Sequence, residues 1–141
     1  MNLRLRLLLP VLVLGACKVS AAELTRNECT ELYLAVSSLE SGLSPANVTA
    51  AADAINALRP TVEALDKGKL ALQKAIRALN LPEGSKLPAS ILAQAEALEE
   101  KGQEVVKVDL PALKLTPEEL KDAKVKPALL AVLKRHFSAV K

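Results

Sequence analysis

Cys17, Cys29 and His136 are the side chains in this 141-residue chain whose types reach furthest into metal, redox or nucleophilic chemistry. Alone, His136 cannot build a multi-histidine zinc or iron site. There is no Cys-x-x-Cys-His segment, and the single methionine is Met1, so a haem has no evident attachment or second ligand. Cys29 and His136 would form a nucleophile and base only if a fold brought them together. However, Cys29 falls on an apolar helical seam with nothing in its context to activate a thiol. No Gly-x-Ser-x-Gly elbow and no glycine-rich phosphate loop occurs. The carboxylate pairs Glu99-Glu100 and Glu118-Glu119 are neighbours on predicted helices, where adjacent residues point about 100° apart, unlike a catalytic dyad. Tyr33 and Phe137 are the only aromatic residues, too few for a platform that stacks sugars or single-stranded bases. The inventory predicts no metal, no cofactor and no catalytic residues, and argues against an enzyme.

The elements that carry these residues read as helices. Thr25 with Glu28 three residues later is a capping box. It opens a helix whose seam Cys29, Leu32, Val36, Leu39 and Leu43 steps by three and four. That seam places Cys29 inside, either as a buried thiol or, as an odd cysteine in an oxidising compartment, as a candidate for an intermolecular disulfide. Ser44-Pro45 starts a second helix with seam Val48, Ala51, Ile55 and Leu58. Pro60 predicts a break or kink, and a third helix is expected from Pro60 to about Asn80. The segment "LPEGSK" (81–86) is a loop. A fourth helix from about Pro88 to Lys107 uses Ile91, Ala95, Leu98 and Val105. No stretch is read as a period-two strand, and "VDLPALKL" (108–115) is expected to be an extended connector. Thr116-Pro117-Glu118-Glu119 is a cap, a first-position proline and two acids at the positive end of a helix dipole. Pro127 separates that short helix from a last one bearing Leu129, Leu133, His136, Phe137 and Val140. The expected fold is all-α, a small antiparallel bundle of about five or six helices with an aliphatic core. The echo between "VEALDKGK" (62–69) and "AEALEEKG" (95–102) is read as chance, since a true repeat would need a third copy.

Before this domain stands a leader: Arg4 and Arg6, the apolar run Leu7–Leu14, then small residues. As a helix the run would cover about 12–15 Å, half of a hydrocarbon core, and Pro10 interrupts it. It therefore reads as a removable export signal. Leu14-Gly15-Ala16-Cys17 resembles the lipobox of bacterial lipoproteins, with an aliphatic residue and two small residues before the cysteine. That resemblance implies cutting before Cys17 and lipidation of Cys17, giving a signal peptide of residues 1–16. Ser20-Ala21-Ala22 offers the other site, a small-x-small pattern that would end the signal at residue 22. The domain reading is a tether over 17–24 and one helical domain over 25–141.

The chain holds 19 basic and 16 acidic residues. Removing residues 1–16 takes Arg4 and Arg6 and leaves 17 against 16; the later cut also takes Lys18. A mature chain so near neutrality has no global attraction for nucleic acid. The local exception is the end of the chain, where Lys121, Lys124, Lys126, Lys134, Arg135 and Lys141 face Asp122 alone. These residues form either a solvated helix face or a contact for acidic lipid or polysaccharide.

Two functions remain. One is an exported cell-envelope protein, held to a membrane through acylated Cys17, that presents a helical face to a protein partner. The other is a soluble periplasmic or secreted helical carrier of an apolar ligand. The first predicts an alanine-lined, filled core; the second predicts an enclosed apolar pocket of several hundred cubic ångströms.

Overall fold

The computed structural model describes residues 20–39 and 42–137. It is a small all-α bundle of five helices, joined by a two-stranded antiparallel sheet that the sequence reading did not anticipate. In chain order these are β1 (Ser20–Thr25), α1 (Arg26–Ser37), α2 (Pro45–Ala78), α3 (Ala89–Gln103), β2 (Val105–Leu110), α4 (Pro117–Asp122) and α5 (Pro127–His136).

The helix starts follow their local chemistry. Thr25 caps α1: its hydroxyl accepts the Glu28 amide at 3.1 Å, and its own amide donates to Glu28 Oε2 at 2.7 Å. Ser44 accepts the Asn47 amide at α2, and Thr116 accepts the Glu119 amide at 3.2 Å at α4.

Pro60 does not break the chain. The two helices expected on either side of it are one 34-residue helix, α2, about 50 Å long. Proline removes the donor for the carbonyl four residues earlier, that of Asn56. Both Pro60 and Asn56 are exposed, so water can satisfy that carbonyl. The helix ends at Ala78 with Leu79 as its C-cap, and Asn80 just beyond takes the left-handed conformation (φ 47°) favoured there, with Pro82 following.

The second correction concerns residues 104–110. The fourth helix ends at Gln103, and Val105, expected on its seam, begins β2 and is exposed. Val106, Val108 and Leu110 turn inward while Lys107 and Asp109 turn out, a period-two pattern in which the branched side chains line the core. Its partner is the segment expected to be a tether. Ser20 pairs with Leu110, Ala22 with Val108 and Leu24 with Val106, so residues 20–24 belong to the folded domain. An isolated two-stranded ribbon is marginal in water. Here Leu24, Val108 and Leu110 are buried against the helices.

The core is aliphatic. Leu32, Val36 and Cys29 from α1 meet Ala50, Ala51, Ala54 and Leu58 from α2, and Leu113, Leu133 and Phe137 close it. The alanines let α1 and α2 approach closely, while each buried leucine or valine contributes about 1.5–3 kcal/mol.

Candidate functional site

The molecule has two distinct ends. Arg26 begins α1 beside the start of β2: its amide donates to the Glu104 carbonyl at 3.0 Å, and its guanidinium meets the Glu104 carboxylate at 3.1 Å. From there α1 runs back alongside β1, and α2 returns antiparallel to it. The last turn of α1, the first turn of α2, α4 and the start of α5 therefore gather at the opposite end. A Cβ on Gly42 would lie 3.1 Å from Asp122, and Ser38 shares a hollow with Asp122, Lys124 and Lys126. Because β1 and β2 are antiparallel, Ser20 and Leu110 also lie at this end. This is the end by which the chain enters from Cys17, which itself lies outside the described residues, as do Val140 and Lys141.

At the entry end sit two buried polar side chains, Asn47 and Glu119. The Asn47 amide nitrogen donates to both Glu119 oxygens, at 2.8 and 3.1 Å, and to the Lys114 carbonyl at 2.8 Å. The Ser44 amide adds a bond of 3.3 Å to Glu119 Oε2. Together these donors hold the Glu119 carboxyl below its ordinary range, with the Asn47 amide as the largest cause. Glu118, its neighbour, is exposed, so this carboxylate pair is divided between interior and solvent. No sequence pattern pointed to Asn47, because the bond joins residues 72 positions apart.

From the other end a helical hairpin projects. Beyond Leu65, α2 leaves the core and is accompanied only by α3. Gly68 allows the approach, since a Cβ there would meet Leu98 at 2.7 Å. Leu70 on its outer side is 55% exposed, Leu92 on α3 is 48% exposed, and Leu79 and Leu81 are exposed near the tip. This arm, not foreseen from the sequence, carries exposed leucines away from the core.

Cys29 is fully buried, and burial pushes its thiol up, away from the reactive thiolate. His136 is half-buried near Glu28, Glu31 and Arg135; burial lowers its pKa. Glu28 is lowered chiefly by the Thr25 backbone bond of the capping box. Among the described residues no group of three or more His, Cys, Asp or Glu could hold a metal ion. Nor is any helix among them long and apolar enough to cross a membrane. The apolar hollow between α1 and α2, lined by Val36, Leu39, Leu43, Val48 and Ile55, is open to solvent and measures about 290 Å³. Larger hollows of about 410 Å³ at the hairpin tip and 490 Å³ beside α4 have polar rims that include Arg77 and Asn80, and Asp122 and Lys124. Compared with protein-family models, curated proteins and solved structures, the chain matches none.

Proposed function

We propose that this chain is an exported helical interaction module of the bacterial cell envelope, tethered to a membrane through acylated Cys17. One observation carries the reading: the register of β1 on β2. A cut before Cys17 leaves every residue of β1 in place. A cut after Ala22 removes Ser20, Ala21 and Ala22, half of a six-residue strand, and uncovers Val108 and Leu110 on its partner. The fold therefore favours the earlier cut, which is the one that acylates the chain. Two or three acyl chains, at about 0.8 kcal/mol per buried methylene, make such an anchor effectively permanent.

The surfaces support interaction over transport. Ala35, Ala50, Ala51 and Ala54 line the core between α1 and α2. The hollow beside it is open, whereas ligand pockets enclose most of their ligand within about 300–1,000 Å³. The projecting arm gives a protein partner an exposed helical face.

Intact mass of the native protein tests the reading. The expected species begins at Cys17 and carries fatty acyl groups. A chain beginning at Ala21, Ala22 or Glu23, or one retaining Met1, overturns it. A lipid-sized ligand that co-purifies non-covalently with an unacylated chain would establish the carrier instead.

A further inference from the structure

The basic run near the end of the sequence does not form one patch. Lys134 and Arg135 close α5 at the end that holds Glu28, where His136 and Arg135 both feel that carboxylate. Lys121, Lys124 and Lys126 lie at the opposite end with α4 and the start of α5. There they are joined by Lys114, whose carbonyl is fixed by Asn47 at the first turn of α2. All four are exposed.

The ion pairs among the described residues, Arg26 with Glu104 and Lys107 with Glu23, engage none of them. In the segment 109–127 the exposed carboxylates are Asp109, Glu118 and Asp122, because Glu119 is buried and bound. The described segment 109–127 therefore carries four exposed lysines against three exposed acids. The arm, from Asp66 to Glu104, carries equal numbers of each sign.

The same end receives the chain from Cys17. Only Lys18 and Val19 separate Cys17 from Ser20, a reach of at most about 11 Å. The hairpin leaves from the other end.

We propose that the four lysines form a lipid-contact face that seats this end of the domain on an anionic bilayer, with the hairpin arm pointing away from it. The orientation rests on Cys17 being the anchor, but the charge contact does not. A basic patch beside a short lipid tether is the second signal that makes peripheral anchoring firm, and each lysine close to the surface adds about a fivefold gain in binding. The committed partner is an anionic phospholipid surface. Neutral lipid is not expected to bind, and the attraction should weaken with salt because exposed charges are screened over about 10 Å at 0.1 M.

The test uses a chain starting at residue 17 with Cys17→Ala, which keeps every described residue and removes the acyl anchor. It is sedimented with vesicles of phosphatidylcholine containing phosphatidylglycerol at roughly three parts in ten, and with pure phosphatidylcholine vesicles. Binding is expected only to the anionic vesicles, and is expected to be lost in strong salt. Replacing Lys114, Lys121, Lys124 and Lys126 with Gln should weaken it about a hundredfold or more. Replacing the arm residues Lys67, Lys69, Lys74 and Arg77 with Gln removes the same charge and should leave binding intact. Circular dichroism confirms that both variants fold. No binding to anionic vesicles, or equal loss in both variants, overturns the proposal. The mass of the native N-terminus decides the acylation reading separately.

Discussion

Asn47 and Glu119, 72 residues apart in the chain, share two hydrogen bonds of 2.8 and 3.1 Å inside the protein, and through them α4 is fastened to the first turn of α2. Their side chains are only 7% and 8% exposed, so neither can turn to water if the other is lost. A buried polar group left without its partner costs about 1–3 kcal/mol, and more if charged. Asn47→Ala should therefore destabilise the protein by about 2–3 kcal/mol by stranding the carboxylate. The double replacement by apolar residues of similar size should recover much of that loss. Urea unfolding midpoints of the two single variants and the double variant measure the coupling; strictly additive losses would show that the pair does not act as a unit.

Acid should weaken the fold in two stages. A carboxyl held below its ordinary value stabilises the native state above that value and loses the contribution as pH falls through the lowered one. Glu119 and Glu28 are both of this kind. His136 is lowered by burial, so the unfolded chain takes up its proton first and stability also falls as pH drops below the ordinary 6.5. Unfolding midpoints should be level between about pH 7 and 8, decline gently below the histidine range, fall more steeply below 4.5, and fall again above 9.0, where the unfolded chain gives up the Cys29 proton first. His136→Gln should remove the first decline and Glu119→Gln part of the second.

Cys29 should be silent toward thiol reagents until the protein unfolds. Its side chain has no exposed surface, and burial disfavours the thiolate that such reagents attack. Alkylation followed by mass should show labelling that rises with denaturant along the unfolding curve. Rapid labelling, or a disulfide-linked dimer in the native protein, would place Cys29 at a surface. Cys29→Ser should cost about 1–3 kcal/mol through a hydroxyl placed among Leu32, Val36 and their neighbours.

A chain starting at Glu23 should be less stable than one starting at residue 17. It lacks the strand residues opposite Val108, Asp109 and Leu110, and so exposes part of two core side chains along with the unpaired edge of β2. A loss of about 2–3 kcal/mol in urea unfolding is expected from the apolar area alone. Equal stability of the two chains would remove the structural preference for the earlier cut.

Local signals in the sequence were readable and long-range ones were not. Thr25 with Glu28, Ser44 with Pro45 and Thr116 with Pro117 mark helix starts because each cap is closed by residues within three positions. The inward set Val106, Val108 and Leu110 is just as regular. Yet a strand exists only through its partner, and that partner, Ser20–Thr25, lies about eighty residues away within what looked like a removable or flexible leader. Pro60 misled for a related reason: its local penalty depends on whether the freed carbonyl meets water, which the sequence does not state. For the site, Cys29 and His136 could be placed on their helix faces. The gathering of Lys114 with Lys121, Lys124 and Lys126 depended on how the helices return on one another.

Because α2 runs unbroken from the core into the arm, its outer half cannot swing without tilting the half that lies against Leu32 and Val36. A displacement of the hairpin tip would thus tilt the bundle, less whatever the helix yields at Pro60, which supplies no amide to the Asn56 carbonyl. The shape is that of a lever whose short end is held in the core.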